Sequence, residues 1–269
     1  MLVAQHASRL SLALAAALTL GVLPGCSERS SGEAPEGPRL IDAPAATGCP
    51  HPLLPLIEGA SWAYEVGADP GRTQTAELRV VRVEKRGSAL TAEVRRRVGE
   101  SSTTVEGVCG SEGTSFLAFF VPLGLPLPVQ INYAPRITKR IGALLAPPSA
   151  LKSGATWNYE LVAHTEQPGG RSLTMDSSWQ AHVEYGGERV VVVPAGRYDV
   201  TQLAVQVTGH HRPPEEEDVV FGDRVMDPPT MSYTYSLARG VGVVLIEGEL
   251  DDQGRTRRAR WALAGVTRP

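Results

Sequence analysis

LIEGASWAYE, residues 56–65, returns 95 positions later as LKSGATWNYE, residues 151–160. In each copy a glycine precedes a tryptophan and a tyrosine that are two positions apart. Residues two apart on a β-strand lie on the same face, so each copy predicts a turn followed by a strand that carries an aromatic pair. We expect both pairs to lie in the core; an aromatic platform for a ligand is the alternative. The repeat predicts two related β-rich halves, residues 49–145 and 146–269.

Short strands are indicated in the rest of the chain as well. Apolar and polar residues alternate over 90–95, 202–207 and 258–263, which is typical of half-buried strands. Turn residues separate such runs, at 85–88, 186–187, 194–196 and 251–254. Only residues 141–151 suggest a short helix, and paired prolines limit it. The fold class is therefore predicted to be all-β, with antiparallel sheets forming a sandwich or partial barrel.

The N-terminus has the order of a secretory signal peptide. Arg9 precedes an apolar run, residues 10–23, that is too short to span a membrane. The run closes on Leu-Pro-Gly-Cys, residues 23–26, which resembles the lipobox of bacterial lipoproteins. That resemblance implies removal of residues 1–25, lipidation of Cys26 and a membrane partner through the lipid anchor, at the outer membrane or periplasmic face if the cell is Gram-negative. Plain secretion is the alternative.

Residues 26–48 are rich in Ser, Gly, Pro and Glu, and we expect them to form a disordered tether behind the lipidated N-terminus. The chain has three cysteines, so a lipidated Cys26 leaves Cys49 and Cys109 as an even pair in an oxidising compartment. We predict a disulfide between them. Neither cysteine belongs to a Cys-x-x-Cys motif, and no redox or metal role is expected for them.

Composition and motifs favour a protein that is not an enzyme. The formal net charge of −3 and the dispersed arginines argue against a nucleic-acid partner. Serine-hydrolase and phosphate-binding motifs are missing from the sequence. His210 and His211 precede an acidic run, but adjacent residues on a strand face opposite sides, so we predict no metal site and no cofactor. A cryptic hydrolase would require His182, His210 or His211 to meet carboxylates in a cleft.

Residues 116–129 are strongly apolar but contain three prolines, which forbid a regular helix or a central strand. A packed connection between the halves is the simplest interpretation. The alternative is a carrier that binds a lipid or other apolar ligand in a half-barrel cavity. The side chains expected to contact such a ligand are Phe116, Phe119, Phe120, Leu123 and Leu125.

The second half carries VVVVPAGRYD, residues 190–199, and later ARGVGVV, residues 238–244. With the Gly-x-x-Trp-x-Tyr openings, these motifs resemble those of uncharacterised all-β bacterial envelope proteins. The resemblance implies a β-rich body and assigns no catalytic residue. The function predicted from the sequence is therefore a lipid-anchored envelope protein that acts as a non-catalytic binding or structural module, with an apolar ligand or another envelope protein as its partner.

Overall fold

The computed structural model describes residues 34–38, 49, 51–69, 72–116, 136–167, 173–212, 230–252 and 255–269. Twelve antiparallel strands form one sheet, which confirms the all-β prediction. The strands are β1 (Ser61–Asp69), β2 (Arg72–Arg86), β3 (Ala89–Val98), β4 (Ser101–Gly110), β5 (Gly113–Phe116), β6 (Arg136–Ile141), β7 (Thr156–Gln167), β8 (Leu173–Val193), β9 (Gly196–Arg212), β10 (Thr230–Ala238), β11 (Gly242–Asp252) and β12 (Arg255–Thr267).

Strand order follows the chain as a meander with one long-range pairing. The order is β5-β4-β3-β2-β1-β12-β11-β10-β9-β8-β7-β6, so β1 pairs with β12 and the sheet runs continuously through both halves of the chain. Its edge strands, β5 and β6, do not form a ladder. The two ends of the sheet nevertheless meet at one antiparallel bridge, in which Thr114 and Leu145 exchange N–H···O bonds of 2.8 and 2.9 Å. The sheet is therefore curled but open.

The repeated sequence forms the same turn and strand twice. Gly59 and Gly154 both have a positive φ, of 86° and 76°, which glycine adopts without steric cost. The amides of Ala60 and Ala155 then donate to the carbonyls three residues before them, at 3.0 and 2.9 Å. A strand follows each turn at once, as β1 and β7. The recurrence of sequence thus corresponds to a recurrence of local structure.

Both aromatic pairs lie on the inner face of the sheet. Trp62, Tyr64 and Tyr159 are buried, and Trp157 is partly buried. The Trp62 indole donates to the Val241 carbonyl at 2.6 Å, and the Tyr64 hydroxyl donates to Val243 at 2.8 Å. Each buried polar atom of the first pair therefore has a partner, as a packed core requires. These residues act as core, which was the expected interpretation.

Two local predictions need correction. The short helix suggested over 141–151 is a single 3-10 turn, Pro148–Ala150, because the prolines leave too few amide donors for a longer helix. The turn predicted at Gly186–Gly187 lies inside the continuous strand β8, where the register shifts against β9. Gly187, with a φ of 89°, forms a β-bulge there. The predicted turns at 85–88 and 194–196 connect successive strands, and the one predicted at 251–254 lies partly outside the described residues.

The segment that enters the folded body, residues 51–57 (the entry segment), is fastened at both ends. Before it, Cys49 forms the predicted disulfide with Cys109 of β4, with the Cα atoms 5.6 Å apart. The Cys49 amide also donates to the Leu56 carbonyl at 3.1 Å. Leu54 and Leu56 are buried, and the Pro52 carbonyl accepts from Gly240 at 2.8 Å. The entry segment therefore packs against both halves of the sheet.

His51 is a buried hydrogen-bonding residue of the entry segment. Its Nδ1 accepts from the Leu53 amide at 3.2 Å, so the ring proton is on Nε2, which lies 3.0 Å from the Ala146 carbonyl. Burial lowers the pKa of His51, and the hydrogen bond to Ala146 opposes that effect only in part. The neutral imidazole therefore fits this site and the charged form does not.

We expect the free energy of unfolding to fall as the pH drops below about 6.5, because the unfolded chain then binds a proton that folded His51 resists. Urea denaturation at pH 7.5 and 5.5 measures this slope. In His51→Gln the slope should be smaller than in the wild type. If the free energy of unfolding of His51→Gln depends on pH as steeply as that of the wild type, groups other than His51 cause the dependence.

Candidate functional site: the Glu188 cleft

The β8–β9 hairpin forms one wall of a cleft in the described structure. Its turn, at Pro194–Gly196, was predicted from the sequence, and Gly196 has a φ of 136°. The Ala195 amide at the tip donates to the Leu263 carbonyl of β12 at 3.0 Å. This bond fixes the hairpin tip against a strand that is distant in the chain.

Residues 34–38, within the predicted tether, add a short extended segment to the start of β9. Gly37 donates to the Arg197 carbonyl at 3.0 Å, and Arg197 donates to the Pro35 carbonyl at 2.8 Å. The Tyr198 ring occupies the space that a Cβ on Gly37 would need, and its hydroxyl donates to Pro38 at 3.2 Å. The chain is thus held against the folded body before it reaches Cys49.

A cleft of about 360 Å³ lies between this hairpin, the entry segment, the 3-10 turn and the end of β10. Tyr198 lines it and also holds the segment 34–38. The cleft wall combines leucine side chains with carboxylates, hydroxyls and one guanidinium. Its lining residues are Pro52, Leu53, Pro148, Leu151, Tyr185, Glu188, Tyr198, Asp199, Thr201, Leu237, Ala238 and Arg239.

Glu188 is held by two hydroxyl groups that converge on one of its oxygens. The Tyr185 hydroxyl donates to Oε1 at 2.8 Å, and the Thr201 hydroxyl donates to the same atom at 3.0 Å. Tyr185 and Glu188 are three positions apart and would face opposite sides of a regular strand. The bulge at Gly187 shifts the register, so both side chains lie on the same side. Among the described residues, the other oxygen of Glu188 accepts no hydrogen bond. It is the acceptor that a ligand can use.

The cleft is weakly acidic. Glu188 and Asp199 bring two carboxylates and Arg239 one guanidinium, so these three groups sum to −1. The pKa of Tyr185 is raised, first by its hydrogen bond to Glu188, and burial raises the pKa of Tyr198 to about 12. Both tyrosines therefore stay protonated at neutral pH and act as donors. The arrangement suits a ligand that offers a cationic or strongly donating group next to an apolar part.

The residues singled out from the sequence lie elsewhere. Phe116 is buried beside Gly107 of β4, in the core and not in the Glu188 cleft. His182 is exposed, with Nδ1 3.0 Å from Asn158 Oδ1. His210 and His211 pair through their backbones with Ser178 and Ser177 of β8, and their side chains lie outside the described part. The predicted sites outside the described residues are Cys26, Phe119, Phe120, Leu123 and Leu125.

The described residues offer neither a metal-binding cluster nor a membrane-spanning helix. They contain no group of three or more His, Cys, Asp or Glu side chains that could hold a metal ion. No helix within the described ranges is long and apolar enough to cross a membrane.

No protein-family model and no curated protein matches the chain. Three solved structures are similar in part. A candidate lipoprotein from Parabacteroides distasonis matches with 13% identity and a TM-score of 0.45, covering 82% of this chain and 100% of that one. A candidate exported protein with a YmcC-like fold from Bacteroides fragilis matches with 12% identity and a TM-score of 0.43, covering 80% and 98%.

The hypothetical lipoprotein YmcC from Escherichia coli matches with 8% identity and a TM-score of 0.34, covering 78% of this chain and 85% of that one. These scores are low, so neither a family nor an activity is transferred to this chain.

Proposed function

We propose that this chain is a lipid-anchored, non-catalytic binding module of the bacterial cell envelope, with the Glu188 cleft as its binding site. The observation that carries the proposal is the Glu188 carboxylate, whose Oε1 is fixed by two hydroxyls while Oε2 remains available. A carboxylate fixed in this way at the wall of a partly apolar cleft is a typical polar anchor of a small-ligand site.

The length of the tether limits how far the cleft can lie from a lipid anchor at Cys26. Ala34 lies eight positions after Cys26, which corresponds to at most about 30 Å of extended chain. If Cys26 carries the lipid, Gly37, which packs against Tyr198 of the cleft, lies eleven positions from the anchor, or at most about 40 Å of extended chain. The cleft would then act close to a membrane surface.

The hydrogen bonds of two described histidines, His51 and His182, support a non-catalytic role. His51 contacts a backbone carbonyl and a backbone amide, and His182 contacts the side-chain amide of Asn158. None of these partners is a nucleophile that a histidine could activate. The described lining of the cleft contains two carboxylates and several hydroxyls but no histidine.

Benzylamine is a suitable probe of the cleft because it joins an ammonium group to a small apolar ring. We expect it to bind the full mature chain in nanodiscs, and we expect Glu188→Gln to weaken binding about tenfold or more, since a charge-assisted hydrogen bond is lost. Titration calorimetry measures the affinity. Glutamine still accepts from Tyr185 and Thr201, so the local fold should persist.

Glu184→Gln is the matched control, because Glu184 is an exposed residue of the same strand outside the cleft. It should leave benzylamine binding unchanged. Benzyl alcohol, which lacks the charge, should bind more weakly than benzylamine. Equal affinity of the wild type and Glu188→Gln for benzylamine would refute the assignment of this carboxylate as the anchor.

A further inference from the structure

Arg96 of β3 is an arginine on the inner face of the sheet. In the cross-strand register it lies between Leu78 of β2 and Thr103 of β4, and Leu78 is completely buried. The neighbouring Arg95 and Arg97 are exposed, on the opposite side of the same strand. Arg96 therefore points its cationic chain toward the interior, where its neighbours along β3 are apolar.

The guanidinium of Arg96 has no partner among the described residues. Burial lowers the pKa of Arg96 to about 10, so the group is still charged at neutral pH. Buried charges in proteins are normally paired, because removing a charge from water without compensation is costly. Arg140 is an example of a paired arginine in this sheet. Its register partner on β7 is the buried Leu161, and its guanidinium forms an ion pair with Glu106 at 3.3 Å.

A second unpaired group lies directly beside Arg96. The Oγ1 of Thr103 is buried and has no hydrogen-bond partner. Register partners on antiparallel strands have Cβ atoms about 5 Å apart, so the guanidinium and this hydroxyl can reach the same small acceptor. Buried polar groups without partners are rare and require an explanation. Thr103 Oγ1 is such a group, and the cationic guanidinium of the partly buried Arg96 beside it indicates that the missing partner is an anion.

The surroundings of this pair specify the rest of the ligand. The next inner-face residues along the three strands are Val80, Val94 and Val105, all buried. An anion that reaches Arg96 is therefore next to apolar side chains. We propose that Arg96 and Thr103 bind the carboxylate or phosphate headgroup of an apolar ligand on the inner face of the sheet. The planar guanidinium offers the paired N–H donors that such headgroups accept, and Thr103 adds a third.

The test uses octanoate and octyl phosphate as anionic probes and octanol as the neutral probe, each added to the full mature chain in nanodiscs. Both anions should raise the midpoint of thermal unfolding, and the larger effect identifies the preferred headgroup. Octanol and inorganic phosphate should have little effect, because each lacks one half of the proposed ligand. In Arg96→Met the affinity for the anionic probes should fall at least tenfold, whereas Arg95→Met should retain it.

The ligand-free stability separates a binding role from a structural one. A partly buried charge without a counter-ion does not stabilise the fold, so ligand-free Arg96→Met should unfold at the same temperature as the wild type or higher. Thr103→Val should weaken octanoate binding without lowering stability. A lower unfolding temperature for ligand-free Arg96→Met, or a shift by octanoate that survives in this variant, would overturn the proposal. Glu188→Gln should keep the octanoate effect, so this site and the Glu188 cleft can fail independently.

Discussion

Cys49→Ala with Cys109→Ala is expected to lower the free energy of unfolding by about 4 kcal/mol. The disulfide spans 60 positions, and in the chain-entropy model a cross-link of that length removes about this much freedom from the unfolded chain. It also fastens the entry segment, whose Leu54 and Leu56 are buried. Chemical denaturation followed by circular dichroism measures the difference, and unfolding of the wild type under reducing conditions should give a similar loss.

Labelling of free thiols provides an independent check of the same bond. The denatured, unreduced mature protein should show no reactive thiol, because Cys49 and Cys109 are paired and Cys26 is expected to be acylated. Two reactive thiols, or a loss of stability below about 1 kcal/mol in the double variant, would show that the disulfide is absent or that the entry segment is held mainly by other contacts.

Trp62→Ala is expected to destabilise the protein by about 3–5 kcal/mol, the usual cost of truncating a buried tryptophan. Trp62 is 2% exposed, and its indole hydrogen bond to Val241 joins β1 to the turn before β11. The substitution leaves both a cavity and a carbonyl without its donor. Urea denaturation with a far-ultraviolet signal measures the change without depending on tryptophan fluorescence.

The second copy of the repeat supplies the matched control. Trp157 occupies the equivalent position of β7 but is only partly buried, although its indole contacts the carbonyls of Ala143 and Leu144 at 3.1 and 3.3 Å. Trp157→Ala should therefore cost less than Trp62→Ala. Equal losses in the two variants would contradict the view that depth of burial, and not the motif alone, sets the contribution of each tryptophan.

The sequence was sufficient to predict those parts of the fold that depend on neighbouring residues. The alternation over 90–95 and 258–263 predicted strands correctly, because one face of each strand is buried. The turn glycines of the repeat were recognisable, since a tight turn with a positive φ favours glycine. The pairing of β1 with β12 could not be predicted, because it joins the first and last strands of the chain in the middle of the sheet and no local pattern specifies such a contact.

The Glu188 cleft was missed for a related reason. Glu188 and Tyr185 face the same side only because the bulge at Gly187 shifts the register, whereas the Gly-Gly pair alone is also typical of a turn. Thr201 comes from the next strand, and Leu53 from a segment more than a hundred residues earlier. Arg96 was not singled out either, because an arginine next to two others resembles an exposed charged run until the strand register is known.

Mass spectrometry of the N-terminal peptide, taken from the full chain expressed in a bacterial host and extracted from its membranes, tests the central claim most directly. A binding module held at a membrane by a short tether requires a mature chain that begins at Cys26 and carries fatty acyl groups there, with residues 1–25 removed. An unmodified Cys26, or a mature chain that begins at another residue, would contradict the lipid anchor and with it the proposed position of the cleft near the membrane.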